Sequence, residues 1–335
     1  MINFWDKSLW LPENVTWDDL KSTEHVRYPD IWELSYSLKY GAIMILIRII
    51  IESFVFLPIG YICGWINAPD GVLPRICEHL CYGFAGTSKF KRVAETAWRF
   101  VFYVVIWISG FFVLWDKPWL RNTSECWRRW PHHPISESVW WYYMIETAFY
   151  WSLLFSSIVF DIRRSDFWQM TLHHSITLVL LFMSFAMNMV RVGTLILFSH
   201  DVADIIIELG KLFRYAGWDN ALMVVFGIFL FVWTATRLIY YPFWIIKSVI
   251  FDAPPLIQES YRWENLSQPP VVPRILVGML LCLLFLHFFW TYVIVKIAIT
   301  TVQEGNVADI REEGQHPLAE ASTEEQNKHE SKKEL

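Results

Sequence analysis

Long apolar runs separated by short polar joints dominate the chain. The runs at 34–63, 96–115, 139–160, 170–188, 192–210, 221–246 and 274–300 are each long enough for a helix to cross ~30 Å of hydrocarbon. The expected fold is an all-α polytopic membrane protein of about seven transmembrane helices. Its parts are an N-terminal extramembrane segment (1–33), a first transmembrane helix (34–63), a short loop (64–95), a six-helix unit (96–302) and a polar tail (303–335).

Composition supports this reading. Hydrophobic residues make up 55% and charged residues only 18%, against roughly 25% charged in soluble domains. The 20 Trp suit a protein with much membrane–water boundary. No basic n-region leads into a short apolar run near the start, so the first span is expected to act as its own signal anchor. Five irregularly spaced Cys give neither a disulfide framework nor a CxxC metal or redox pattern. Net charge is −5, and residues 303–335 hold four basic and nine acidic groups. The whole excess therefore sits in the tail, expected to be disordered and cytosolic; within it Ser322–Glu325 fits an acidophilic kinase site. A nucleic-acid partner is not expected.

Lys and Arg are shared almost equally between the two sides, so the positive-inside rule scarcely distinguishes the orientations. The three N-x-S/T sequons, at Asn14, Asn122 and Asn265, all fall on the lumenal side if the N-terminus is lumenal, and Asn14 is the expected glycosylation site. The final Lys332-Lys333-Glu334-Leu335 resembles a dilysine retrieval signal, which works on a cytosolic tail. The expectation is a multi-pass protein of the endoplasmic reticulum membrane, N-terminus lumenal and C-terminus cytosolic.

Ionisable groups at membrane depth are costly and mark function or structural pairs. Arg48 and Glu52 lie four apart and are expected to pair. Glu146 has no partner visible in the sequence, so a cavity-lining role and a bond to a neighbouring helix stay open. The densest group spans the fourth and fifth helices: His173 and His174 on one, His200, Asp201, Asp204 and Glu208 on the other. With the turn at Val190, His174 and Asp204 differ in depth by only ~3 Å at ~1.5 Å per residue. A carboxylate that fixes an imidazole tautomer makes the histidine a general base or nucleophile, which suits acyl transfer. A metal site and a purely structural polar network are the rival readings; a single HH pair per region departs from the multiple histidine boxes of membrane hydroxylases and desaturases. His132-His133, between two prolines, is expected to face solvent or headgroups.

These residues carry a resemblance. His173 to Leu178, Met183-Ser184, Asn188, Arg191 to Gly193, His200 to Asp204, Glu208, Lys211 and Tyr215 closely resemble the Lag1 motif of ceramide synthases. Trp98-Arg99-Phe100, Phe149 to Leu153 and Asp161 to Phe167 look like other fixed points of the TLC domain, which would occupy 96–302. Leu9 to Leu20 resembles the glycosylated lumenal start of animal members. Residues 64–95 are too few for the homeodomain-like insert that many animal members carry.

The resemblance implies N-acylation of a sphingoid base by a fatty acyl-CoA in the endoplasmic reticulum. The acyl-CoA is a co-substrate, no cofactor or metal is expected, membrane lipids surround the protein, and a homo- or hetero-dimer is the expected assembly. His173 would accept the acyl group or attack as nucleophile and His174 would move protons. Asp201 and Asp204 would orient the imidazoles, with His200, Glu208, Glu146, Asn188 and Arg191 in support. An acyl-histidine route is preferred over direct attack of the amine on the thioester. Arg163, Arg164, Lys211, Arg214, Lys89, Lys91 and Arg92 are candidates for holding the CoA phosphates, with membrane anchoring as the plain alternative. The stretch from Ile246 to Ile257 corresponds to the family's chain-length loop. A TLC protein that binds, senses or escorts lipids without catalysis is the alternative function.

Overall fold

The computed structural model describes residues 4–304 except 64–65, 67–69, 82 and 87. The tail beyond Glu304, with Ser322 and Lys332-Lys333, lies outside the described residues, as does the Lys89 side chain. Among the described residues every regular element is helical. The main helices are α1 (Ile31–Ile62), α2 (Val72–Leu80), α3 (Lys89–Leu114), α4 (Glu137–Val159), α5 (Phe167–Ala186), α6 (Val190–Ala216), α7 (Asp219–Ile257) and α8 (Val272–Glu304).

Five of these, α1, α3, α5, α7 and α8, are long and apolar enough to cross a membrane. The expected third and fifth spans, α4 and α6, miss that measure for chemical reasons. Tyr, Trp and Ser dilute α4, while Arg191, Asp201, Asp204, Glu208, Lys211 and Arg214 charge α6.

Several boundaries differ from the sequence pattern. Helix α3 starts at Lys89 rather than 96 because the Ser88 side chain accepts from Lys91 N and caps it. The supposed loop 64–95 also contains α2. Helix α6 runs past 210 to Ala216, where Gly217 at φ +71° supplies the left-handed residue that ends it. The stretch 246–257 is a continuation of α7 rather than a loop. Its widened π turns, from Thr234 to Ile246 and Ser248 to Asp252, accommodate Pro242, whose ring and missing N–H would break a regular α-helix.

The helices pack as a closed ring in the order α3, α4, α5, α8, α7, α6 and back to α3, with α1 lying outside on α4. Helices α1 and α4 approach closely at Gly41, where an added Cβ would stand 2.9 Å from the Ala148 carbonyl oxygen. After their shared turn α5 and α6 diverge: α5 leans on α4 and α8, α6 on α3 and α7. Large apolar side chains such as Leu46, Val105, Phe112, Phe231 and Phe285 are exposed on the outside, while charged groups face inward. That inverted pattern is the one a bilayer favours. Exposed Trp32, Trp115, Trp141, Trp168 and Trp218 stand near helix ends, where interfacial tryptophans belong.

One end of the ring is closed. The Trp130 indole donates to Met187 O at 2.7 Å and the Trp127 indole to Ser248 Oγ at 2.9 Å. The α5–α6 turn passes through Asn188 at φ +54°, whose Nδ2 donates to Pro131 O and His133 O at 2.6 and 2.7 Å. The N-terminal segment docks here too, with Val271 N donating to Leu9 O. Asn14, Asn122 and Asn265 are exposed in the segments that gather at this end.

His133 is buried in this cap rather than solvated as expected. Its Nε2 donates to Arg128 O at 2.7 Å, while Nδ1 is buried without a partner among the described residues. Burial, the largest influence, lowers its pKa to about 4 from 6.5. The unfolded chain thus binds a proton that the fold rejects between pH 6.5 and 4, and stability falls as pH drops through that window. The loss is expected to total ~3 kcal/mol at ~1.4 kcal/mol per unit. Thermal unfolding in detergent should show a steeper acid loss for wild type than for His133→Gln; equal slopes would refute it.

Candidate active site

All six helices of the ring line one chamber of about 250 Å³. Its mouth lies away from the tryptophan cap, at the α4–α5 connection and the end of α6. Arg163, Arg164, Lys211 and Arg214 collect there, joined by Arg99 and Arg237 from the walls; four carboxylates, Asp161, Asp166, Asp204 and Glu208, face the same space. Six cations against four anions leave the chamber attractive to a polyanion. Lys211 Nζ sits 2.6 Å from Glu208.

His173 and His174 project from α5 into this chamber. The Trp290 ring meets His173 edge-on at 5.4 Å, and its indole donates to Asp166 at 3.3 Å, so the aromatic wall is itself held. Tyr150 stands against His174 at 6.1 Å. The Nδ1 atoms of both histidines are buried without hydrogen-bond partners among the described residues. Beyond the histidines a second, mostly apolar cavity of about 70 Å³ runs toward the closed end, between Leu180, Leu181, Ile196, Leu276, Leu280 and Leu283. His173 and Tyr150 are the two residues that line both cavities. In the same region Gly193 lies against the Tyr143 ring, 2.9 Å from the position of a Cβ, and the Tyr143 hydroxyl is bonded to Ser184.

The carboxylates are distributed differently from the expectation. Among the described residues no hydrogen bond joins His173 or His174 to Asp201 or Asp204, because α5 and α6 have diverged at this depth. Asp204 instead meets Arg237 at 3.1 Å, and the same guanidinium donates to His200 O at 3.0 Å and lies 3.3 Å from His287 Nε2. Asp201 faces away from both cavities, is fully buried, and confronts Glu146, which also neighbours Tyr142. Among the described residues neither carboxylate has a hydrogen-bond partner, so Glu146 is buried beside Asp201 rather than bonded to a donor on a neighbouring helix. His200 packs on Tyr241 and His287, both at 5.1 Å.

Two supporting candidates sit elsewhere. Asn188 holds the α5–α6 turn, and Arg191 donates to Glu125 O at 2.8 Å over the Trp119 ring; both belong to the cap. Of the proposed phosphate contacts, Arg92 does not line the chamber. Lys91 is withdrawn from it altogether: it is fully buried, 3.4 Å from Glu95 and 3.7 Å from Glu52. It belongs to a buried ion network with Arg48, Glu52, His79, Arg99 and Asp161. The expected Arg48–Glu52 pair is present at 2.7 Å, and Arg48 and Arg99 each also reach Asp161 at 2.9 Å. Burial alone would push the Asp161 carboxyl up; the two guanidiniums and Lys91 outweigh it and hold the group well below the usual carboxylate range.

Arg237 and His287 escaped the sequence reading although each is an ionisable residue inside an apolar run, which is the signal that would have found them.

A charged, histidine-bearing chamber inside a ring of membrane helices, continued by an apolar blind cavity, defines an integral-membrane protein built to act on a ligand with a charged head and an apolar tail. Residues 92–296 match the family model of the TLC domain. Ceramide synthase hyl-2 of Caenorhabditis elegans is 44% identical over 317 residues, covering 92% of this chain and 93% of its own. Ceramide synthase hyl-1 of the same organism is 42% identical over 318 residues (93% and 84%), and human ceramide synthase 5 is 32% identical over 340 residues (91% and 84%). The chain belongs to the ceramide synthases of the TLC-domain family.

Proposed function

We propose that this protein is a sphingosine N-acyltransferase in which His173 is the reacting residue. The observation that carries this is the place of His173 at the junction of the two cavities. An acyl-CoA laid through that junction puts its phosphates among Arg163, Arg164, Lys211 and Arg214, its thioester carbonyl beside the imidazole, and its chain in the apolar cavity. The thioester supplies the activation, so no further cofactor is required.

In the covalent route the unprotonated His173 imidazole attacks the thioester carbonyl. An N–C bond to the acyl group forms, the C–S bond breaks, and CoA leaves as a thiolate that takes up the proton lost from the other ring nitrogen. The sphingoid amine then attacks the acyl-imidazole, an amide C–N bond forms, and the amine proton passes to the departing imidazole. His174, on the same wall, is placed to relay protons. Arg237 balances Asp204 and supplies a fixed positive charge at the chamber wall. Exclusion of water by the aromatic wall protects the acyl group from hydrolysis.

The reading of seven spans adds α4 and α6 to the five apolar helices; at 23 and 27 residues they extend about 34 and 40 Å. The grouping of all three sequons at the closed end supports a lumenal N-terminus, and the cationic mouth at the opposite end then meets the cytosolic acyl-CoA pool, as expected in the endoplasmic reticulum. Membranes bearing the protein, given sphinganine and acyl-CoAs of graded chain length, should form N-acyl sphinganine with a preferred length. Absence of amide product across the panel would overturn the enzymatic reading in favour of lipid binding alone.

A further inference from the structure

We propose that Cys77 and Cys81 are S-acylation sites on a helix that lies in the cytosolic membrane interface. The observation is the three-way division of α2. At ~100° per residue, Ile76 and His79 share one side and are buried against the protein, with His79 Nε2 3.0 Å from Glu52. Arg75 and Glu78 form a second side and pair with each other at 2.9 Å in solvent. Leu73, Cys77, Leu80 and Cys81 occupy the third, an arc of about 100°, and all four are exposed.

An apolar stripe flanked on one side by protein and on the other by charge fits a helix lying flat at a bilayer surface. The surroundings give the same answer. Helix α2 packs against the last turns of α1, where Ile59, Tyr61 and Ile62 are also exposed. The exposed apolar surface of the first span therefore continues onto α2 at the level where lipid headgroups begin. The occupant of this surface is the adjoining leaflet.

Cysteines on such an edge stand where membrane-dissolved acyl chains and cytosolic acyl-CoA meet. Sγ attacks the acyl-CoA carbonyl; a thioester to the cysteine forms as the thioester to CoA breaks, and the thiol proton leaves with CoA as its free thiol. Two acyl chains four residues apart would fasten α2, and through His79–Glu52 the ion network, to the bilayer. The proposal rests on the orientation given above, which places α2 on the cytosolic side.

The test uses full-length protein from eukaryotic membranes. Free thiols are blocked, thioesters are cleaved with hydroxylamine, and the released thiols are coupled to a polyethylene-glycol maleimide. A maleimide reads thiols alone, so an acyl-histidine contributes nothing. Wild type should show a hydroxylamine-dependent mass shift of one or two labels. The shift should vanish in Cys77→Ser/Cys81→Ser and persist in Cys63→Ser, while the double variant keeps N-acyltransferase activity. No shift in wild type, or a shift that survives the double substitution, overturns the proposal. Endoglycosidase treatment of the same sample reports the glycan at Asn14: its presence locates a failure in the acylation itself, its absence in the orientation.

Discussion

His173→Ala is expected to lose acyl transfer by a factor of ~10² to 10⁴. Removal of a positioned base or nucleophile costs about 10² to 10⁴, and this imidazole sits where the two cavities meet. Truncation enlarges the space beside Trp290 without stranding a charge, so the variant should still fold and accumulate in membranes. The comparison is amide formation per amount of folded protein, with the thermal unfolding midpoint as the control. Activity within ten-fold of wild type would remove His173 from the chemistry. His174→Ala should be milder, because a proton relay can be replaced in part by water. Intact mass after exposure to acyl-CoA alone, in the Cys77→Ser/Cys81→Ser background so that no thioester contributes, separates the routes: an adduct of one acyl group with His173 present and none with His173→Ala supports the acyl-imidazole, and none on either supports direct attack.

Asp161→Ala is the second large effect, and it acts first on stability. Asp161 accepts from Arg48 and Arg99 at 2.9 Å each; the Arg48 and Asp161 side chains are buried and that of Arg99 is largely so. Without the carboxylate Arg48 keeps Glu52 at 2.7 Å, but Arg99 retains only Glu95 at 3.8 Å. Breaking a buried pair from one side costs about 3–5 kcal/mol, so the unfolding midpoint should fall sharply. Asp161 also stands two residues before Arg163, at the start of the cationic mouth. Whatever folds should bind acyl-CoA more weakly and show a raised KM. Arg75→Ala, which breaks the exposed pair with Glu78, is the matched control and should cost under ~1 kcal/mol. Equal losses in the two variants would contradict the buried network.

The hydrophobic pattern made the existence and order of the helices legible, because each apolar run is long, but not their ends: α3 begins at Lys89, α6 runs to Ala216 and α7 to Ile257. The gathering of His173, His174 and Asp204 at one depth was legible too, since a single short turn at Asn188 makes α5 and α6 antiparallel. Equal depth is not contact, however. The divergence of the two helices is decided by what packs outside them, and it turns Asp204 toward Arg237 and Asp201 toward Glu146. Partnerships such as Arg48 with Asp161, 113 positions apart, leave no trace in local spacing. Lys91 shows the same limit: among basic neighbours it reads as a surface cation, and only the packing of α3 against α1 buries it. The stretch 246–257 was expected to be a loop from its correspondence to the family's chain-length loop, and nothing in its local spacing shows that widened turns carry α7 through it.

That widened stretch of α7 has a consequence for engineering. In a π turn one extra residue is held per cycle, and Arg237 points inward because of the count that precedes it. Exchanging side chains on the outer face, such as Ile239 or Phe243, both exposed, leaves that count intact. Deleting a single residue between Trp233 and Arg237 would swing the guanidinium through about 100°, out of reach of Asp204, His200 and His287. The outer face of α7 can therefore vary in chemistry, but the helix cannot vary in length.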